Sequence, residues 1–315
     1  MPPVYFAHDY KTTTLHESGV AMDMWERGEL TNRRTKGPTW THSTDAGWSP
    51  EQYQRFADHR GRPMRDLLAR VEAALTADPR VVVDLGCGPG DQTLALTDRW
   101  PGARVVGIDS SAEMLTKARS LDAAGRVEWV QASAEEWDPR STGGPVDILV
   151  TNATLQWVPT HLRLVPEWVA GLAPGGVFAM QVPSNFAAPS HRLMREVASR
   201  HPRAEQLRPG LARAEAVAQP ETYAALLLGL APDVDVWETT YQQVLPAGDG
   251  EPHPVLEWVK GTGLRPVLGI LPEGPERDTF IETYAAELER AYPRRPFGVI
   301  FPFSRIFALA RTQGA

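Results

Sequence analysis

The chain has 315 residues, enough for one large domain or a domain with a cap. Its 32 Lys and Arg against 39 Asp and Glu leave a net charge of −7 and no cationic surplus to neutralise a phosphate backbone, which argues against nucleic acid as a partner. The single cysteine, Cys87, excludes an internal disulfide, and a mean hydropathy of −0.30 with no long apolar run points to a cytoplasmic protein without a membrane partner.

Residues 1–47 show no hydrophobic period and read as a weakly ordered extension. At Ser49-Pro50 the character changes to a helix start, with a possible cap and Pro at the first position. Tyr53, Phe56, Leu67, Leu68, Val71 and Leu75 then form an apolar stripe through two predicted helices, with Arg60, Arg62 and Arg65 among them. Next come strand and helix in alternation: strand 81–85, helix 92–99, strand 104–109, a helix capped by Ser110 and Ser111, strand 127–130 and strand 146–150. Helix 162–172 is stopped by Pro174-Gly175-Gly176, and strand 177–182 follows. This alternation predicts a doubly wound, mostly parallel α/β sheet with right-handed crossovers. Past Asn185 it ends. Helices at 190–200, 223–230, 253–259 and 276–292, with strands at 235–241, 299–301 and 303–309, predict a helical cap and an antiparallel edge in which Trp237 and Phe307 lie on paired strands.

The first strand runs into Asp84-Leu85-Gly86-Cys87-Gly88-Pro89-Gly90, and a helical pattern opens at Asp91. Strand, glycine loop and helix form the nucleotide-cradling first unit of such a sheet. The second strand ends in Asp109, about twenty residues past the glycines, where a doubly wound domain holds a ribose. Asp84 precedes the glycines and no Lys or Arg lies among them, which disfavours a pyrophosphate. It suits a ligand with cationic groups and a ribose, and S-adenosylmethionine has an ammonium, a sulfonium, a ribose and no phosphate. Cys87 reads as a small residue that fits the loop. The other strand ends are also polar or small, at Ser133, Asn152 and Pro183-Ser184-Asn185.

VVDLGCGPG, GIDSSAEML and NATLQWVP together resemble the class I S-adenosylmethionine-dependent methyltransferases. YQRFADHRGRP, VPSNFAAPSHRLMREVA, VDVWETTY, HPVLEWVKGTGLRP and FPFSRIFALA further resemble the branch of that family that acts on trans-aconitate, from about Trp48 to Arg311. The resemblance implies that Asp84, Gly86 and Gly88 hold the methionine part of the cofactor, with Gly90 among the cofactor-binding residues. It implies that Asp109 accepts from the ribose, with Ser110, Met114, Ser133 and Ala134 around the adenine. Ser133 departs from the acid more usual there. Asn152, Ala153, Gln156 and Trp157 are expected on the reacting side, the last two as positioning groups.

A small polycarboxylic acid needs no general base, because its carboxylate is already ionised near neutral pH. Nor does it need a metal. It does need cations for the carboxylates that do not react, and arginine's fork suits them. Arg62, Arg195, Arg265 and Arg305 are therefore candidates for substrate binding, with Tyr53, His191, Trp258, Tyr292 and Trp157 beside them. The expected division is an extension at 1–47, a cofactor-binding core at 48–185, and cap insertions with the last two edge strands at 186–315. The cofactor motif leaves two alternatives open. One is a methyltransferase acting on the oxygen, nitrogen or carbon of a secondary metabolite. The other is a cofactor-binding protein without catalysis. Whether the chain is a monomer or a homodimer is not read from the sequence.

Overall fold

Three β-branched residues and a leucine make β1 (Val81–Leu85) a strand buried along its whole length. A strand covered on both faces of a parallel sheet has to be apolar in this way. The computed structural model describes residues 57–211, 217–248 and 250–314, with 57–60 by their backbone alone. The extension at 1–47, Ser49, Pro50, Tyr53 and Phe56 lie outside the described residues. β1 belongs to a seven-stranded sheet in the order β3 (Val127–Gln131), β2 (Arg104–Asp109), β1, β4 (Val146–Asn152), β5 (Leu172–Pro183), β7 (Val299–Arg311), β6 (Asp233–Leu245). β1 to β5 pair in parallel, and β7 runs antiparallel between β5 and β6. Strand order reverses between β1 and β4, and the crevice outside the strand ends at such a point is where ligands bind in these sheets.

Ten α-helices are described: α1 (Ala57–Ala74), α2 (Asp91–Arg99), α3 (Ala112–Leu121), α4 (His161–Ala170), α5 (Pro189–Ser199), α6 (Ala204–Leu211), α7 (Pro220–Leu228), α8 (Pro254–Lys260), α9 (Arg265–Ile270) and α10 (Pro275–Ala291). Met64, Leu67, Leu68 and Val71 of α1 pack with Val82, Val150, Ala179 and Phe307 on one face of the sheet. Leu164 and Trp168 of α4 and Tyr223 and Leu227 of α7 pack with Val83, Leu149, Met180 and Ile306 on the other. The period of two along each strand sets this division. It puts Asp84, Asn152, Gln181 and Arg305 on the α1 face. None of the described helices is long and apolar enough to cross a membrane.

β6 and β7 pair over thirteen residues each, with Trp237 opposite Phe307 and their rings stacked at 4.9 Å. β5 accompanies β7 only as far as Pro183 and Arg305. Beyond that point the ribbon runs on alone past the C-terminal end of β5. Leu245, Val299, Phe301 and Phe303 on the ribbon pack with Met194, Leu207, Trp258 and Tyr284 of the helices around it in a second core. The cap is therefore carried on an extension of the sheet itself, at the edge where the parallel strands end.

Three details depart from expectation, while α1 runs unbroken through Pro63 over its described residues. Pro174-Gly175-Gly176 does not merely stop a helix. It is the irregular opening of β5, where the register jumps from Val146 opposite Leu172 to Ile148 opposite Val177, with Gly175 at φ 75°. β7 is one strand through Pro302, tolerated because β7 has only β6 as a neighbour there. The short α6 and α9 carry Gly or Pro within six to eight residues, which hid them from the pattern.

Candidate active site

Asp84 is 3 % exposed, and Thr93 Oγ1 donates to its Oδ2 at 2.7 Å. Burial pushes its carboxyl up to about 7, against the Thr93 hydrogen bond and with smaller contributions from Asp109 and Asp91. The three glycines that follow answer different demands. A Cβ on Gly86 would lie 2.2 Å from the side chain of Thr154, whose hydroxyl donates to the Gly86 carbonyl. A Cβ on Gly90 would lie 2.5 Å from the Trp129 ring and 2.8 Å from Ala118, so this glycine serves the packing of the sheet and α3. A Cβ on Gly88 would meet nothing within 4 Å. Gly88 alone opens into unfilled space, as backbone that receives a ligand does.

Asp109 ties this loop to the next helix. Its Oδ2 accepts from the Gly88 N–H at 2.9 Å and its Oδ1 from the Ser111 N–H at 2.8 Å. Each oxygen keeps a lone pair for a further donor. Ser111, not Ser110, caps α3, by accepting from the Met114 N–H. Ser110 is exposed, and Met114 is half-buried beside it. Ser133 is half-buried, with its carbonyl accepting from Glu136 and Trp137, and Ala134 packs against the core of the α4 face.

Asn152 is the last residue of β4. Its Nδ2 donates to Gln92 Oε1 at 3.0 Å, while its Oδ1 is buried with no hydrogen-bond partner. Ala153 has φ 53° and is the one non-glycine residue at positive φ among the described residues. Such strain persists only where the surroundings impose it, and here the Ala153 N–H is tied to the Gln181 carbonyl at 2.9 Å. Gln156 Nε2 donates back to the Ala153 carbonyl, which leaves its Oε1 buried and unpartnered. Trp157 is 43 % exposed. The strand ends thus supply a buried acid, orphaned acceptors, ribose-ready lone pairs and an open glycine. That set fits S-adenosylmethionine, whose cations and hydroxyls need acceptors.

On the acceptor side, Arg305 is 5 % exposed, with its Nη1 on Gln181 Oε1 at 3.1 Å and its guanidinium 4.5 Å from the Phe303 ring centre. Arg62 lies over the Tyr241 ring, and the Tyr241 hydroxyl donates to Asp66 at 2.7 Å. Burial and Asp66 push that hydroxyl's pKa up, while Arg305 and Arg62 together oppose them, so the two arginines converge there. Arg195 donates to the Phe186 carbonyl, and His191 stands edge-on to the Phe186 ring beside Gly263. Arg265 lies within electrostatic reach of Glu113 in the first turn of α3. Trp258 and Tyr292 are corrected to core positions. Trp258 packs on Phe301 and Phe303, and the Tyr292 hydroxyl accepts from the Ser190 N–H. Tyr292 also borders a pocket shared with Asn185, Arg295 and Ser304. Thr93, Gln92 and Thr154 are site residues that the sequence does not single out, because each works through its place after a turn and carries no charge or metal-binding group that would mark it.

Residues 82–176 match the model of a family described as a methyltransferase domain. The chain is 50 % identical over 274 residues to a trans-aconitate 2-methyltransferase of Streptomyces coelicolor, covering 85 % of this chain and 88 % of that protein. It is 48 % identical to one from Rhodococcus jostii and 47 % to one from Azoarcus sp., each over 84 % of this chain and 98–100 % of the relative.

Proposed function

Because the chain belongs to the trans-aconitate 2-methyltransferase family of S-adenosylmethionine-dependent enzymes, we propose that it esterifies one carboxylate of trans-aconitate by in-line methyl transfer. The observation that carries this is the reach of the similarity. At 274 residues it takes in the cap as well as the methyltransferase domain at 82–176, and the cap is where an acceptor is chosen.

When bound, S-adenosylmethionine supplies a methyl group made electrophilic by a sulfonium. Asp84 gives the methionine ammonium a buried counter-charge through Thr93-held oxygen. Asp109 takes the ribose hydroxyls on the lone pairs that Gly88 and Ser111 leave free. Gly88 lets the ligand approach the backbone, and Met114 and Ser110 flank the adenine. Asn152, Ala153, Gln156 and Trp157 shape the side from which the acceptor enters. No residue has to remove a proton, since the attacking carboxylate is already an anion. The chain's work is alignment and exclusion of water, which favours a step in which opposite charges neutralise. Arg305 and Arg62 bind the carboxylates that do not react, with Arg195 and His191 at the entrance. A cytoplasmic location completes the reading, and the lone Cys87 suits it.

Incubation with methyl-labelled S-adenosylmethionine and a panel of acids tests the proposal. Label should appear on trans-aconitate as an ester that base releases. Label that survives base would mean transfer to carbon or nitrogen and would sink the carboxylate assignment. Asp109→Ala should weaken S-adenosylhomocysteine binding about 100-fold or more, since charge-assisted hydrogen bonds contribute about 1.5–3 kcal/mol each. Unchanged affinity by calorimetry would overturn the ribose assignment.

A further inference from the structure

Gln181 lies on β5 between Asn152 of β4 and Phe307 of β7, on the same sheet face as Asp84, and is fully buried. A buried primary amide is costly unless its donors and its acceptor are used. Only half of this one is used. Its Oε1 accepts from Arg305, and its Nε2 has no hydrogen-bond partner. The orientation of the amide is dictated by chemistry, because a guanidinium can only donate and must therefore face the oxygen. The NH2 group is left aimed away from Arg305. Arg305 is held beside it by the same bond and by its stacking on Phe303. Two amide N–H groups and a guanidinium on neighbouring residues form a row of donors near the C-terminal end of β5 and at the middle of β7, next to the orphaned acceptor of Asn152.

We propose that Gln181 is a specificity-determining residue whose Nε2 donates to a non-reacting carboxylate of the acceptor while its Oε1 fixes Arg305 for the same anion. This inference rests on the reading of the chain as a polycarboxylate methyltransferase. It explains why a strand that is otherwise apolar, with Phe178, Ala179, Met180 and Val182 all buried, gives up one core position to an amide. Gln181 was not among the candidates drawn from the sequence, since within Val-Phe-Ala-Met-Gln-Val it reads as the end of a strand.

The experiment compares the full-length wild type with Gln181→Met, which keeps the volume and removes the donors, and Gln181→Glu, which converts the amide into a competitor for Arg305. Each is assayed on trans-aconitate and on a dicarboxylate analogue lacking one carboxylate arm, with S-adenosylhomocysteine affinity and melting temperature alongside. Loss of hydrogen bonds to a charged group should raise the KM for trans-aconitate about 10- to 100-fold, with the larger effect in Gln181→Glu. The KM for the dicarboxylate and the cofactor-product affinity should stay within about twofold of wild type. Equal loss on both acids would make Gln181 a structural residue and overturn the inference, as would an unchanged KM in a folded variant. Weakened S-adenosylhomocysteine binding would assign the donors to the cofactor's carboxylate instead. If one variant fails to fold, the other decides. A wild type that methylates no acid would remove the proposed function itself and this inference with it, an outcome distinct from the others.

Discussion

The cofactor half of the sheet, β1 to β4, and the acceptor half, β5 to β7 with its cap, are built at different ranges. In the first half the strands run five to seven residues. Two of its hydrogen bonds are short in sequence, Asp84 to Thr93 across nine residues and Gly88 to Asp109 across 21, and its longest at the site, Asn152 to Gln92 and Thr154 to Gly86, span 60 and 68. In the second half the two outer strands run thirteen residues each. There Gln181 meets Arg305 across 124 residues, Tyr241 meets Asp66 across 175, and Ser190 meets Tyr292 across 102. The first half makes a site from one strand, its loop and the next strand end. The second makes a site only when distant segments arrive together. A cofactor common to many enzymes can be held by a local motif, whereas the acceptor depends on how this particular chain closes over it.

The largest expected effect lies at Asp84. Its folded pKa, about 7, stands above the ordinary 3.8 because the carboxyl is buried first of all. A raised pKa means that the protonated group favours the folded state. The associated stability is complete below 3.8 and is lost as pH rises through 7, by about 4 kcal/mol in the free protein at pH 8. Asp84→Asn can still accept from Thr93 but carries no charge. It should melt higher than wild type at pH 8, converge with it near pH 4, and bind S-adenosylhomocysteine poorly at both. Scanning fluorimetry across that range, with and without S-adenosylhomocysteine, is the check. Curves that stay parallel at every pH would mean the carboxylate is well solvated. The buried histidines titrate in both proteins, so they cancel in the difference.

A second test separates two glycines only two residues apart. Gly90→Ala forces a methyl into Trp129 and Ala118, and overpacking of this kind costs about 1–3 kcal/mol. It should lower the melting temperature by several degrees. Gly88→Ala places its methyl in open space at φ 56°, with only the modest cost of a left-handed alanine, about 1–2 kcal/mol. It should nonetheless lose S-adenosylhomocysteine affinity more than tenfold, because the methyl occupies the ligand's approach. If the effects on melting and affinity trade places between the two variants, Gly90 faces the ligand and Gly88 the core.

That contrast of ranges also explains what could be read from the sequence. The alternation of parallel strands with helices, the cap of α3 and the paired Trp237 and Phe307 were legible because alternation, capping serine and β-propensity act within a few residues. Asp84, Gly88 and Asp109 were legible because a motif states them. Arg305 was only one arginine among several, and nothing in Phe-Pro-Phe-Ser-Arg says that this one is buried beside Gln181. Trp258 and Tyr292 were plausible ligands by residue type, until the ribbon's aromatic residues claimed them for a core. Gly90 shows the same limit inside the motif itself: the spacing marks a glycine, but only the fold shows that Trp129 is the reason.

The smallest expected effect probes the seam between the halves. His161, at the start of α4, and Tyr223, on α7, meet on the sheet face opposite the site. His161 Nδ1 can only donate to the Val158 carbonyl at 2.8 Å, so its Nε2 accepts from the Tyr223 hydroxyl at 2.9 Å. That hydroxyl in turn accepts from the Ala218 N–H. Burial holds the imidazole pKa below its usual 6.5. A lowered pKa means its contribution is present above pH 6.5 and lost as pH falls through the folded value. Tyr223→Phe leaves a buried ring nitrogen and an amide unpaired, a cost of about 1–3 kcal/mol, or roughly 2–8 °C for a chain of this size. The loss should be full at pH 7.5 and shrink below pH 6, because the imidazole without its donor takes up a proton more readily. S-adenosylhomocysteine affinity should not move, since the pair lies across the sheet from Asp84. A melting temperature equal to wild type at pH 7.5 would show that the seam contributes nothing. A loss of cofactor affinity would show that the two halves are coupled through the sheet, and the contrast of a local site with a long-range one would then have to be redrawn as a single cooperative unit.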